Sequence, residues 1–432
     1  MLLAAIEEPG LAAPDLAFRL YYLAAAYEDG GNPATAVEYY DRAASADPAS
    51  PRAHRAKYWA ARATETAGDN LAAAARYLDL AASGPAGEFS AEAAFRAGYG
   101  LLRGGDPAAA VAAWERLGRP GDARVLYWEG RARQALAENE AALAAFRAAA
   151  AAGPLTFYGS EALREANGGA KLDVRYRARN LARGPDWDVL ARWLAGLAPG
   201  GPEPAPATIA PDLVAMGLRS QAGAVLVEAG DGAGPWRLLA LVRQAYALGL
   251  ADVAARLASR LETATGGAPG APVDLDRVAY PIDYVKVLDD EGRRNDLDPL
   301  FLAALVRQES YWDPSAGSHA GALGLTQVIP STGQSIANAL GLEGFVADDL
   351  FRPALSLQFG AYYLGGQVKR FGDPYQALSA YNAGPANAVR WAKAAPGARP
   401  PDFVEAIDIS ETHDYVERVM DHYAHYLRAY GE

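Results

Sequence analysis

The sequence predicts an all-α protein, and three observations carry that expectation. From Leu16 to about Ala166 the chain is rich in Ala with recurrent aromatics and has almost no β-branched alternation, which suits paired helices. After about Val273 helical spacing returns, as in Phe301, Leu305 and Glu309, each four residues apart. The 44 Gly and 28 Pro concentrate in a few stretches rather than throughout, so they read as linkers between compact units. Pro199 to Pro211 is the first linker and Thr265 to Pro272 the second, with room for three short helices between Asp212 and Glu262. A chain of 432 residues can bury more than one core. The expected organisation is a helical solenoid over 1–198, a helical linker domain over 199–272 and a mainly helical domain over 273–432.

Within the first region a short unit recurs. Gly31-Asn32-Pro33 precedes Ala36-Val37 and Tyr39-Tyr40, Gly68-Asp69-Asn70 precedes Ala75 and Tyr77, Gly105-Asp106-Pro107 precedes Val111 and Trp114, and Glu138-Asn139 precedes Leu143 and Phe146. The period is roughly 33 to 37 residues. Gly with Asp or Asn ends one helix, Pro opens the next in two of the units, and the aromatic packs on the neighbouring pair. The pattern resembles a tetratricopeptide-type solenoid. It serves equally as a plain scaffold or as a groove for a peptide or substrate, and it names no partner.

Composition excludes several function classes. A formal net charge of -12 opposes a phosphate backbone, so nucleic acid is not an expected partner. A neutral or mildly anionic glycan remains open, and 23 Tyr and 8 Trp offer the aromatic faces that sugars use. The absence of Cys removes disulfides, thiol nucleophiles and zinc thiolates together. No apolar run reaches the length of about 18 residues that a membrane span needs, and Met1 to Glu8 carry neither a basic leader nor an apolar core.

The residue that carries chemistry is Glu309. Asp298-Pro299 opens a helix, with an N-cap acceptor followed by Pro at the first helical position, and Ser310-Tyr311-Trp312-Asp313-Pro314 ends it. Glu309 therefore continues a buried stripe and sits at the negative pole of its helix beside aromatics. Both effects favour the protonated carboxyl that a general acid needs to protonate a glycosidic oxygen. By helix pattern alone, a salt bridge from Glu309 to Arg307 or Arg352 is the competing expectation.

Around it stand further motifs in order: Glu309-Ser310, then Gly324-Leu325-Thr326-Gln327, then Ala380-Tyr381-Asn382-Ala383-Gly384, then Glu411-Thr412-His413-Asp414-Tyr415-Val416. These resemble the soluble lytic transglycosylase family, whose goose-lysozyme-like catalytic domain carries Glu-Ser, Gly-Leu-Met-Gln, Ala-Tyr-Asn-Ala-Gly and Glu-Thr-x-x-Tyr-Val. The resemblance covers about 150 residues, with Tyr280-Pro281-Ile282-Asp283-Tyr284 ahead of it and Phe157-Tyr158-Gly159 as a weaker upstream match.

The resemblance implies a lysozyme-like domain that cleaves peptidoglycan glycan strands with no metal or other cofactor. It puts the catalytic acid on Glu309, a contact to the acetamido region on Ser318, and the lining of the cleft on Gln327 and Tyr381. Glu411 takes the place of a buried acid at the cleft's edge, Tyr415 lies in the last motif, and Asn382 with Gly384 shapes the turn presenting Tyr381, where turn chemistry is the better reading. Thr326 replaces the usual Met, so an apolar wall of the cleft would become a hydroxyl. Asp408 replaces Pro and His413 replaces Arg.

A glycosidase ordinarily uses a second carboxylate, and these motifs offer none opposite Glu309. The family uses the substrate's N-acetyl group and closes a 1,6-anhydro ring. The alternatives are a muramidase that delivers water, or a solenoid scaffold that binds glycan without cutting it. Such a substrate implies export, to the periplasm or cell surface. Asp421-His422 and His425 share one helix face, but no third metal ligand stands near them in sequence. Asp289-Asp290-Glu291-Gly292 does not follow the calcium-loop spacing.

Overall fold

The computed structural model describes residues 10–83, 89–118, 120–198, 200–202, 208–268, 270–395, 397 and 399–431. Among them the secondary structure is helical, with extended backbone pairing only as isolated bridges of Leu323 to Gly317 and Val328. The all-α expectation is borne out. Met1 to Glu8, Pro199 and Glu203 to Ala207 of the first linker, and Pro269 of the second lie outside the described residues.

The first compact unit comprises residues 10–154 and 158–170. Its helices are α1 (Ala13–Asp29), α2 (Pro33–Ala46), α3 (Pro51–Thr66), α4 (Asn70–Ser83), α5 (Ser90–Arg103), α6 (Pro107–Leu117), α7 (Ala123–Ala135), α8 (Asn139–Ala152) and most of α9 (Phe157–Ala166). The recurring unit explains the turns. Gly31, Gly68 and Gly105 have φ of 74°, 93° and 88°, a conformation that ends a helix and suits glycine. Asp69 and Asp106 then accept the N–H groups of Ala72 and Ala109 at 3.0 Å, satisfying otherwise orphaned donors. The fourth unit departs: Ala137 takes the left-handed turn at φ 61°, and Glu138 makes no capping bond.

The aromatics seat on small residues of the preceding helix. A Cβ on Gly98 would meet the Trp114 ring at 2.3 Å, and one on Gly130 the Phe146 ring at 2.7 Å. Ala24 and Ala61, both fully buried, stand at the same offset before Tyr40 and Tyr77. Tyr40 donates to Glu28 at 3.0 Å and Tyr77 to Glu65 at 2.9 Å, so one bond repeats in successive units.

The second unit comprises residues 155–157 and 171–431, and its boundary corrects the expectation. The division falls near residue 170 rather than 198, and the linker and C-terminal regions form one unit rather than two. The cause lies in residues 171–186, which carry no helix. Val174 accepts the Asp298 N–H at 2.7 Å, and Tyr176 donates to Asp289 at 3.0 Å. Arg179 donates to the Gly431 carbonyl and pairs with Asp298, both at 2.6 Å.

One apolar core runs through α10 (Trp187–Ala195), α11 (Ala210–Ala215), α12 (Arg219–Ala229), α13 (Pro235–Ala247), α14 (Ala251–Ala264) and α15 (Val273–Ala279). Thus α15, expected in the last domain, gives Leu275, Val278 and Ala279 to the linker core. The remaining helices are α16 (Val285–Asn295), α17 (Pro299–Ser310), α18 (Pro330–Leu340), α19 (Pro353–Phe371), α20 (Pro374–Ala383), α21 (Pro385–Ala394), α22 (Pro400–Glu405) and α23 (Ser410–Tyr430), with a 3-10 turn at Ala347–Phe351. α17 is buried except at Gln308 and Glu309 and packs on the long α23, which brings the motif at residues 411–416 to the end of α17.

Candidate active site

Asp298 caps α17, its side chain accepting the Leu300 N–H at 2.9 Å, and Pro299 sets the first helical φ. The last turn ends abruptly. Tyr311 and Trp312 hold φ of 53° and 68°, consecutive left-handed residues that cost free energy unless packing fixes them. Trp312 is fixed by donating its indole N–H to Tyr426 at 2.9 Å, and Arg307 lies over the Tyr311 ring at 5.0 Å. Ser310 donates to the Leu325 carbonyl at 2.9 Å, tying the end of α17 to the Gly324–Gln327 segment.

Glu309 thus stands at a rigid corner, partly exposed, with its carboxyl largely withdrawn from solvent. Burial pushes its pKa up to about 7; the Tyr415 hydrogen bond opposes that rise and the Glu411 charge adds to it. Tyr415 donates to Oε1 of Glu309 at 2.6 Å. Neither competing ion pair forms: Arg307 donates to the Ala279 carbonyl at 2.7 Å and lies over the Tyr280 ring, while Arg352 reaches Asp349.

The segment facing α17 is pinned at several points. Gly324 has φ 73°, and a Cβ there would lie 1.9 Å from the Leu350 carbonyl oxygen, so only glycine fits. Gln327 is left-handed at φ 47° and donates its side-chain amide to the carbonyls of Gly324 at 2.8 Å and Ala316 at 3.1 Å. Ser318 is exposed on the loop after Ala316, its hydroxyl accepting the Ala322 N–H at 3.0 Å. Tyr381 enters from α20 and donates to the Thr326 carbonyl at 2.7 Å. Asn382 is exposed and accepts the Thr412 hydroxyl at 2.6 Å, which couples the α20 turn to α23.

Two site expectations are corrected. Thr326 is no wall of the cleft: it has no exposed surface, and its hydroxyl donates to the Ser356 carbonyl at 2.8 Å because α19 covers the segment on that side. Glu411 is exposed rather than buried, since it lies in the first turn of α23, and its influence on Glu309 is by charge. The other departures have local partners. Asp408 pairs with Arg390 and accepts the Trp391 indole N–H at 2.8 Å. His413 lies among Glu405, Asp414 and Glu417; burial would lower its pKa, but these carboxylates raise it to about 9.

Sequence reasoning missed Thr412, Ser356 and Tyr363, whose ring meets Tyr381 edge-on at 5.3 Å. Thr412 lay inside a recognised motif and could have been found; Ser356 and Tyr363 carry no local signal. His422 and His425 of α23 pack around the Tyr280 ring. His425 bonds to Asp276 at 2.9 Å and stacks on Tyr280 at 4.2 Å, and burial beside Arg307 lowers the pKa of His422 well below its ordinary value. No cluster of His, Asp or Glu fit to hold a metal occurs among the described residues.

Comparison with known proteins follows this geometry. Residues 287–401 match the Transglycosylase SLT domain family, and residues 18–58 match a tetratricopeptide repeat. The soluble lytic murein transglycosylase of Salmonella typhimurium is 31% identical over 156 residues, covering 35% of this chain and 24% of that protein. The Escherichia coli K12 protein of that name is 30% identical over the same length and the same shares. The matched region thus spans about a quarter of these relatives. A lytic transglycosylase of Pseudomonas aeruginosa, solved as an inactive mutant, has a TM-score of 0.71 at 22% identity over 98% of this chain and 64% of that one. The 70 kDa soluble lytic transglycosylase of Escherichia coli gives 0.70 at 18% identity over 99% and 64%. At these identities the likeness is one of fold.

Proposed function

We propose that this chain, a relative of the soluble lytic transglycosylases whose residues 287–401 form an SLT domain, cleaves the β-1,4 bond between MurNAc and GlcNAc in peptidoglycan and leaves a 1,6-anhydro-MurNAc end. The observation that carries the reading is the Glu309 carboxyl, withdrawn from water, titrating near 7 and bonded to one phenol. Tyr415 occupies Oε1 as a donor, so the acid proton resides on Oε2. That proton passes to the glycosidic oxygen as the C1–O bond breaks. The N-acetyl carbonyl oxygen bonds to C1 meanwhile, in place of a second carboxylate. The Glu309 carboxylate then takes the proton of the 6-hydroxyl as O6 attacks C1, and the N-acetyl group is released. The acid is regenerated and no water is consumed.

Ser318, Gln327, Tyr381, Asn382, Glu411 and Tyr415 are the proposed contacts around the reacting sugar. Such a substrate puts the protein in the cell envelope, and no described helix is long and apolar enough to cross a membrane. Mass spectrometry of digested peptidoglycan tests the reaction. Anhydro ends support it; reducing muramic ends alone identify a muramidase, and no cleavage leaves a glycan-binding scaffold.

The pH profile is a second test. The general acid works protonated, so kcat/KM falls as pH rises through about 7, the value for Glu309. Tyr415→Phe removes the bond that favours the carboxylate, so the fall moves to higher pH while the plateau drops. A Tyr415→Phe profile shifted to lower pH contradicts this assignment.

A further inference from the structure

We propose that Thr326 and Ser356 form a buried clamp that fixes the Tyr381 hydroxyl beside Glu309, which makes both of them positioning residues for the reaction proposed above. Three contacts build the clamp. The Thr326 hydroxyl donates to the Ser356 carbonyl at 2.8 Å, the Thr326 N–H donates to the Ser356 hydroxyl at 3.2 Å, and the Thr326 carbonyl accepts the Tyr381 hydroxyl at 2.7 Å. One peptide unit of the Gly324–Gln327 segment is thereby held from α19 on one side and holds Tyr381 on the other.

The seat is matched to a β-branched residue. Gly360 lies directly under the Thr326 side chain, and a Cβ there would come within 2.4 Å of the Thr326 methyl carbon. A methionine at 326 has no hydroxyl to donate to Ser356 and is too long for that space. Thr326, Ser356 and Gly360 therefore form a set, and the departure at 326 relocates an anchor rather than altering a sugar subsite. Position matters here because adjacent peptide carbonyls of the segment hold both sides: Leu325 accepts the hydroxyl of Ser310, the neighbour of Glu309, and Thr326 accepts that of Tyr381. Burial first, and the Glu309 charge second, push the Tyr381 phenol well above its ordinary pKa, so the two side chains sense one another. Small displacements of such groups cost catalysis disproportionately.

The test is a double-mutant cycle on glycan cleavage with kcat and KM measured separately. Thr326→Val and Ser356→Ala are expected to lower kcat by about tenfold to a hundredfold, with KM within about twofold. Thr326→Ser, which keeps the donor, restores most of the rate lost in Thr326→Val. Thr326→Val/Tyr381→Phe is no slower than Tyr381→Phe alone, because the clamp acts through that phenol. Losses that multiply in the double variant, or a Thr326→Val protein that loses thermal stability with kcat unchanged, overturn the proposal. Should Thr326→Val fail to fold, Ser356→Ala supplies the same cycle without added volume. A wild type that cuts no glycan refutes the transglycosylase reading, and the clamp is then decided by NMR. The Tyr381 ring resonance, assigned by its loss in Tyr381→Phe, shifts in Ser356→Ala; an unmoved resonance overturns the clamp.

Discussion

Glu309→Gln is expected to abolish glycan cleavage while leaving fold and glycan affinity near wild type. The amide keeps the shape of the carboxyl and can still accept from Tyr415, but it cannot release and recover a proton. General acid–base groups contribute on the order of 10² to 10⁴ in rate, and Glu309 serves in both halves of the reaction, so the loss should lie at the upper end. Single-turnover cleavage of purified glycan strands measures it. A residual rate within about tenfold of wild type removes Glu309 from the acid role.

The same substitution carries a stability consequence of determined sign. Folding raises the Glu309 pKa from 4.5 to about 7, so the folded state favours the protonated group. That contribution is fully present below pH 4.5 and is lost as pH rises through 7. Glutamine does not ionise. The melting temperature of the variant, taken relative to that of wild type, should therefore rise between pH 5 and pH 8, and a difference that stays constant or moves in favour of wild type with rising pH contradicts the buried carboxyl.

Asp298→Ala should produce the largest loss of stability in the C-terminal unit. Asp298 is fully buried, caps α17 through Leu300, accepts the Tyr423 hydroxyl at 3.1 Å and pairs with Arg179 at 2.6 Å. The Arg179 side chain is only 10% exposed, so removal of Asp298 leaves a largely buried charge with the neutral Gly431 carbonyl as its acceptor. Breaking one side of such a pair costs about 3 to 5 kcal/mol, to which the lost cap adds about 1 kcal/mol. Denaturant unfolding measures the loss. Replacing both partners, as in Arg179→Met/Asp298→Ala, should recover part of it because no buried charge is stranded. A single-variant loss below about 1 kcal/mol would mean that residues 171–186 are not held by this pair.

Much of the first unit was legible because its signals are local. A left-handed glycine and an Asx cap act within a few residues, so Gly68-Asp69 and Gly105-Asp106 announce helix ends without knowledge of their neighbours. Glu309 was legible for the same reason: the cap at Asp298 and the four-residue spacing fix its helix and its place at the last turn. The fourth repeat was legible as a repeat but not as a turn, since Ala137, exposed and held by the backbone bonds of the helix end, adopts the left-handed conformation that glycine adopts freely.

The sequence by itself determined the helical class, the repeat, the identity of the ionisable group at the end of α17 and the motifs that surround it, because periodicity and capping are properties of short stretches. Tertiary structure decided which way those residues face. Thr326 lies within a recognised motif, yet it turns from the cleft because α19, thirty residues on, offers Ser356 and the gap above Gly360. Residues 171–186 join the C-terminal unit because Arg179 meets Asp298 across 119 positions of chain. The pKa of Glu309 likewise depends on the burial that packing against α23 creates and on a phenol 106 positions away. Partners so distant leave no local pattern, and desolvation is a property of the assembled core rather than of any segment.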